Sequence, residues 1–386
     1  MDMSEPIYMD YAAATPVDER VMRAMEPYFS SNYFNPSSIY LASRGVKSDL
    51  AEARAEVAFW LGARPAEIIF TAGATEANNL ALNSLHNIGG QLLYTTIEHE
   101  AIIEPANRFD SNTISVDKYG LVDIDDLRKK INSDTGLVSV IYANNEIGTV
   151  QHMAQVAEVV LAERDRRKSK DETRPIYLHT DASQAPNFLD LHVDKLGVDL
   201  MTLNGGKIYG PKQSGILYVR AGVAIDPLIR GGGQEHGLRS GTENVAFAVG
   251  FAKALALAQK QRKEESHRLG ELSQKAMKLM EGSIENIEFN GHPKQRIPNI
   301  ISVIVHGIDG ERAVMMLDEA GIQAATGSAC SALSDNSSHV VRAIGRSDEE
   351  AGSTLRFSFG RTTSQDHIDQ LVSVLPGIVK ASRELR

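Results

Sequence analysis

Short apolar runs rich in Ile, Val and Leu recur along the 386-residue chain between longer amphipathic stretches, and this alternation limits its possible folds more than any other feature. The runs are Ile68 to Phe70, Leu92 to Thr95, Val138 to Tyr142, Ile176 to His179, Asp199 to Leu203 and Ile216 to Val219. Strands alternating with helices build a mostly parallel sheet covered on both faces, so the expected class is α/β. One covering helix is written in Val46, Leu50, Ala53, Val57 and Leu61. They recur at helical spacing before Gly62 and Pro65, which stop it.

A chain this long outgrows a single hydrophobic core, so a large domain with a smaller companion is expected. From about Asn244 to Met280 the helical pattern runs far beyond a usual globular helix and turns strongly charged around Lys260 to Glu265. That stretch reads as a connector out of the large domain. Ile300 to Val305 and Leu355 to Ser358 then look like strands, and an amphipathic helix follows from about Ser364. The expected division is a large domain over 16–255, with 1–15 and 256–386 forming a small α/β domain. No repeat or low-complexity tract interrupts it.

The net charge of −10 argues against an extended nucleic-acid or anionic-membrane footprint, which needs Lys and Arg to neutralise phosphates. The basic run Arg164 to Lys170 reads as the solvated, cationic end of a helix. Met1 to Pro6 is short and acidic, and no segment reaches the roughly 18 apolar residues of a membrane span, so the expected location is cytoplasmic. A single cysteine, Cys330, excludes an internal disulfide and a self-contained cysteine metal site. It leaves a buried bystander, a reactive thiol, or one ligand of a shared site such as a transient iron–sulfur ligand. No metal of the chain's own is expected.

The residues with chemical potential follow the apolar runs. After Phe70, small residues lead into a helical pattern near Thr75, and bare N–H groups at a helix start, with a Thr hydroxyl, make a phosphate cradle. Thr75 and Glu76 also suit ordinary caps. Asp181, in His179-Thr-Asp-Ala-Ser-Gln184, ends a strand at the ligand-facing edge of an α/β sheet, where a carboxylate can hold a ring nitrogen protonated or merely cap the next helix. Lys207, in the glycine-rich Asn204-Gly-Gly-Lys-Ile-Tyr-Gly-Pro-Lys212, can form a Schiff base, with Lys212 as competitor and a solvated surface lysine as the plain alternative. His99 follows a third strand, where an imidazole can stack on a cofactor and move protons, or be structural. Asn145 ends a fourth and can donate a hydrogen bond.

Gly231 to Thr242 is too glycine-rich for a buried helix or strand and reads as a loop, in which Thr242 can offer a phosphate contact. Cys330 lies among small and polar residues from Ala325 to Ser338, a context that favours a reactive thiol on a loop over a structural cysteine. Arg356, inside the apolar run from Leu355 to Phe359, suits a clamp for a substrate carboxylate or an internal ion pair.

Taken together with Tyr8-Met-Asp-Tyr-Ala-Ala-Ala-Thr-Pro16, Asn35-Pro-Ser-Ser38 and Leu355-Arg-Phe-Ser-Phe-Gly360, these segments resemble the NifS/IscS-type class I cysteine desulfurases over nearly the whole chain. These are pyridoxal-phosphate (PLP) enzymes of the class-V aminotransferase family, with the aspartate-aminotransferase-like fold type I. The resemblance implies that Lys207 carries PLP, Asp181 pairs with its ring nitrogen, and His99 stacks on the ring. It places Gln184 and Asn145 near the phenolic oxygen, and Ala74, Thr75, Asn204 and Gly206 around the phosphate. Thr242 would reach the phosphate of a partner subunit, which implies a homodimer. Arg356 and Asn145 would hold the carboxylate of L-cysteine, and Cys330 would take its sulfur as a persulfide, leaving alanine, for transfer to an iron–sulfur scaffold or a tRNA-thiolation protein.

Two departures stand out. The family usually has Ser and His where this chain has Asn204 and Gly206, which implies weaker PLP retention because glycine offers only backbone. The chain also ends at Arg386, without the C-terminal extension that housekeeping members use to dock a scaffold, so docking in that manner is not expected. Two rival readings remain at this stage. One is another fold-type-I enzyme such as an aminotransferase or selenocysteine lyase; the other is a sulfur-relay or scaffold protein that has lost PLP chemistry.

Overall fold

In the computed structural model, which describes residues 6–327 and 337–385, the expected alternation becomes a seven-stranded sheet. Its spatial order is Ile68–Thr71, Gly215–Val219, Leu200–Asn204, Tyr177–Asp181, Thr135–Ser139, Gln91–Thr95 and Ser111–Ile114. Only Gly215–Val219 runs antiparallel to its neighbours, so the other six point their carboxyl ends to one edge. The run expected from Val138 to Tyr142 is assigned as a strand only over Thr135–Ser139. Its pairing nevertheless continues, because the N–H groups of Val140 and Tyr142 donate to the carbonyls of His179 and Asp181. The edge strand Ser111–Ile114 escaped the sequence reading, since its alternation of Ser, Asn and Thr carries no apolar run.

The helix Leu41–Leu61 stops where Gly62 takes a left-handed φ of 65°; a Cβ there would also collide with His192, 2.3 Å from its Nε2. The helix Val245–Ser283 is 39 residues long, about 58 Å at 1.5 Å per residue. Its first half buries Phe251, Leu255 and Ala258 in the apolar cluster of the seven-stranded sheet. Its second half buries Leu269, Ala276 and Met280 in a separate cluster. That second cluster covers an antiparallel sheet in the order Ala325–Thr326, Thr354–Ser358, Ile300–Val305, Ile287–Phe289. The N-terminal strand Ile7–Tyr8 pairs in parallel with Ile322–Gln323 as a separate two-stranded sheet, and Ile7 and Ile322 bury in the same cluster.

One sequence expectation is corrected. The basic run at the end of the helix Met153–Ser169 is not wholly solvated: Arg167 is only 2% exposed. Its guanidinium bridges Glu163 and the carbonyls of Asn132, Thr135, Arg174 and Pro175. The cation satisfies carbonyls left at strand and helix ends, which only a fork of several donors can do at once. Among the described residues, no helix is long and apolar enough to cross a membrane.

Candidate active site

The parallel strands deliver their polar residues to one place. A cavity of about 330 Å³ opens at their carboxyl ends, where open α/β sheets bind ligands. It is lined by Ala74, Thr75, His99, Asn145, Asp181, Gln184, Asn204, Lys207 and Arg356. Thus most of the residues singled out from sequence meet in one hollow, drawn from five strand ends and from the antiparallel sheet. Gly206 lies beside it as buried backbone, whereas Thr242 lines a different hollow with Arg239 and Glu235. Cys330 lies outside the described residues. Lys212, the rival of Lys207, is exposed and does not line the cavity.

Each side chain is held by local geometry. Gly73 adopts φ 120°, which disfavours any side chain, and so turns the chain from strand into the helix Ala74–Leu82. No side chain caps that helix, so its first N–H groups face the cavity uncapped. Asp181 is buried at its strand end, and its carboxylate accepts from Asn78 Nδ2 at 2.7 Å and from the Ser183 N–H at 2.9 Å. Lys207 Nζ donates to the carbonyls of Ala12 at 2.8 Å and Ala13 at 2.6 Å, so the N-terminal segment forms part of the wall. Gln184 Nε2 also donates to Ala12, at 2.9 Å. His99 caps the helix Glu100–Ala106, its Nδ1 accepting from the Ala101 N–H at 3.0 Å. A neutral ring bonded in this way carries its proton on Nε2.

Arg356 satisfies both readings offered for it. It is 1% exposed, its Nη2 donates to Asp10 Oδ1 at 2.6 Å, and its Nη1 donates to the carbonyl of Asn145 at 3.1 Å. It is therefore an internal ion pair, yet it lines the cavity and its buried Nε has no hydrogen-bond partner. A carboxylate ligand in the cavity would face this guanidinium.

Several residues in or behind the cavity wall carried no signal as single letters. Asn78 orients Asp181 from inside a helix, and its own Oδ1 is buried without a partner. Glu98 is fully buried, accepting from Thr95 Oγ1 and the Ile141 N–H, both at 2.6 Å. Burial pushes its carboxyl up to about 8, helped by the neighbouring charge of Asp181 and opposed by those two donors. Glu146 is likewise buried and its carboxyl raised by burial, against the pull of Ser338, His339, Arg356 and His99. His339 Nε2 donates to the Glu98 carbonyl at 2.9 Å.

The donor set fits pyridoxal phosphate. An uncapped helix start with a Thr hydroxyl suits the phosphate, a buried carboxylate suits a protonated ring nitrogen, and a lysine amine stands in the same hollow as both. The chain matches the aminotransferase class-V model over residues 7–371 and belongs to that PLP-dependent family. Within it, the full-length likeness is to cysteine desulfurases. "Cysteine desulfurase IscS 1" of Archaeoglobus fulgidus is 42% identical over 98% of each chain. Among solved structures, a "NifS-like protein" superposes with a TM-score of 0.88 at 31% identity, covering 97% of this chain and all of the other. A structure described as SspA in complex with cysteine gives 0.78 at 32% identity, covering 92% of this chain and 98% of the other.

Proposed function

We propose that the chain is a PLP-dependent cysteine desulfurase that moves the sulfur of L-cysteine onto Cys330 as a persulfide and releases L-alanine. Cysteine and the Cys330 thiol enter; alanine and the Cys330 persulfide leave, so no external oxidant or reductant is consumed. One observation carries the reading. The Gly327 carbonyl lies 3.5 Å from Arg356 Nη1 in the cavity wall, and Cys330 follows only three residues later. Three residues span at most about 11 Å, which supports a thiol within reach of the cavity.

Bound PLP supplies the electron sink that weakens the substrate's carbon–sulfur bond. Around it the chain's own groups divide the work. The start of the helix at Ala74 and Thr75, with Asn204, would hold the phosphate, whereas Gly206, whose only donor already bonds Asn204 Oδ1, would add nothing to it; Asp181, oriented by Asn78, would pair with the ring nitrogen. His99 would cover the ring, and Gln184 and Asn145 would serve its phenolic oxygen. Lys207 binds the cofactor and moves protons at the substrate carbons. Arg356, whose guanidinium belongs to the cavity wall, and Asn145 would orient the substrate carboxylate. Cys330 attacks the substrate sulfur as thiolate. The test is to supply L-cysteine to the PLP-loaded chain and measure alanine together with added sulfur mass on the Cys330 peptide. Absence of both would defeat the proposal.

The Gly206 departure has a measurable consequence. Its N–H is spent on Asn204 Oδ1 at 3.0 Å, and a Cβ built there meets nothing closer than 3.4 Å. Gly206 therefore leaves room for a side chain, and its own φ does not demand glycine. Gly206→His should hold PLP about fivefold to tenfold more tightly, the worth of one ordinary hydrogen bond, in a titration of the apo chain. Full occupancy of the parent chain at stoichiometric PLP would remove the basis for that expectation.

The chain is further read as a homodimer with a large domain over 16–255 and a small one from 1–15 and 256–386. The two apolar clusters joined by the helix Val245–Ser283 support the division. Exposed Phe29, Tyr33, Ile39, Tyr40 and Leu41, with Ile39 91% exposed, support a covered face, since so large an apolar strip is unusual on a lone protomer. Sedimentation at protomer mass would contradict the dimer. An iron–sulfur scaffold or a tRNA-thiolation protein would accept the sulfur in the cytoplasm, whose reducing conditions keep a lone catalytic thiol available.

A further inference from the structure

The glycine-rich loop from Gly231 to Thr242 is tied to the start of the helix Ala74–Leu82 without lining the main cavity. Its anchor is Glu235, a buried acid whose carboxylate accepts from Arg54 Nη1 and Nη2, both at 2.7 Å, and from the Phe70 N–H at 2.9 Å. Arg54 Nη1 also donates to the Ile68 carbonyl at 2.6 Å. The loop is thereby fastened to the strand Ile68–Thr71, which leads directly into the helix. Glu235 and His236 hold φ of 48° and 58°, a left-handed backbone that side chains rarely adopt and that such an anchor can maintain.

Further along the same loop, Arg239 reaches Glu76. Arg239 Nε donates to Glu76 Oε1 at 2.9 Å and its Nη2 to Oε2 at 3.5 Å, while Oε2 also accepts from the Ala72 N–H at 3.0 Å. The two side chains are 27% and 16% exposed, and neither lines the cavity. Glu76 stands third in its helix, a place from which a glutamate ordinarily turns back to cap the N–H of the residue just before the helix. Here it passes over Gly73 and bonds Ala72 instead. The first intrahelical bond runs from the Ala77 N–H to the Gly73 carbonyl at 3.1 Å, so the N–H groups of Ala74, Thr75 and Glu76 precede the ladder and stay available to an anion.

We propose that Arg239 is a positioning residue for the cofactor phosphate: its ion pair keeps the Glu76 carboxylate neutralised and turned toward Ala72, so that the helix start meets the phosphate without this anion in competition. The physical reason is electrostatic. A first-turn carboxylate and a phosphate are both drawn to the positive end of the helix dipole, so an unpaired Glu76 would repel the phosphate and contest its N–H donors. The role rests on the PLP site of the proposed enzyme but on no step of sulfur transfer.

The experiment strips the full-length chain of cofactor and titrates it with PLP and, in parallel, with pyridoxal, which lacks the phosphate. The variants are Arg239→Gln, Arg239→Lys, Glu76→Gln and the double variant Glu76→Gln/Arg239→Gln. Arg239→Gln should hold PLP about fivefold more weakly, the scale of a charge at a helix N-terminus, yet hold pyridoxal within about twofold of the parent. Arg239→Lys keeps the cation and should lose less. Glu76→Gln should hold PLP at least as tightly as the parent does. The double variant restores the parent's balance of charge and should return to within about twofold of its PLP affinity.

Parental PLP affinity in Arg239→Gln overturns the proposal. So does an equal loss of PLP and pyridoxal, which would make the pair a support of the fold, and so does a double variant as weak as Arg239→Gln, since the Glu76 charge would then be irrelevant. Should Arg239→Gln fail to fold, Glu76→Gln still decides: PLP held about fivefold more weakly there defeats the idea. A parent chain that binds PLP but forms no alanine from L-cysteine defeats the desulfurase reading alone, and the titrations still judge Arg239.

Discussion

Cys330→Ser should bind PLP and L-cysteine as the parent does, yet form alanine and persulfide at least about a thousandfold more slowly, the scale on which removal of an enzyme nucleophile is felt. A serine hydroxyl is nearly isosteric but is not ionised near neutral pH and is a poor nucleophile toward sulfur. No second cysteine in the chain can substitute for it. The substitution lies in a stretch of small and polar residues, and the cavity residues that would hold cofactor and substrate are untouched by it. Cofactor absorbance and its response to L-cysteine therefore serve as internal controls. A transaminating enzyme of the same fold needs no thiol, so undiminished turnover in Cys330→Ser would favour that rival and remove the persulfide from the mechanism.

The parts of the molecule that were legible in sequence are those encoded by neighbours along the chain. Apolar runs separated by helical patterns specify a parallel sheet, and the carboxyl ends of parallel strands must converge, so Thr75, His99, Asn145, Asp181 and Lys207 could be gathered into one site before any coordinates. Long-range pairing is different, because periodicity states which face of an element is buried but not what covers it. Ser338 meets Glu146 across 192 positions and Arg356 meets Asp10 across 346. No local pattern distinguishes those partners from solvated polar residues. Arg167 was misjudged for the same reason: a basic helix end looks solvated until the carbonyls that it satisfies are brought to it.

Asn78 was hidden differently. Between Ala77 and Leu80 on a helix, an interior amide is out of place, and that misfit is the one sequence trace of its bond to Asp181. Glu98 and Glu146 each adjoin a residue singled out by its chemistry and were absorbed into its motif. Burial separates their fates from that of ordinary surface acids. Burial raises the Glu98 carboxyl to about 8, so it takes up a proton more readily than a surface acid does.

Replacement of Lys207 should have an effect as large as loss of the thiol, but at an earlier stage. Lys207→Ala removes both the amine that would bind PLP covalently and the group that would move protons, and general acid–base catalysis alone is worth about 10² to 10⁴ in rate. PLP should then leave on desalting or remain only as a noncovalent complex, and borohydride treatment should attach none of it to the chain. The alanine variant also removes the Lys207 donor from the carbonyls of Ala12, which keeps Gln184, and Ala13, so a loss of activity could reflect a loosened N-terminal wall. Lys207→Arg separates the two effects. Arginine keeps a cation with several donors for those carbonyls, but it does not deprotonate and so can neither form the covalent link nor accept a proton. Both variants should therefore fall by at least about a thousandfold. Lys212→Ala, at an exposed site outside the cavity, should remain within about twofold of the parent, as surface changes generally do. If Lys207→Arg retained borohydride-fixable PLP, or if Lys212→Ala lost it, the amine would have been assigned to the wrong lysine, and the positions given to Asp181 and His99 around the ring would have to be redrawn with it.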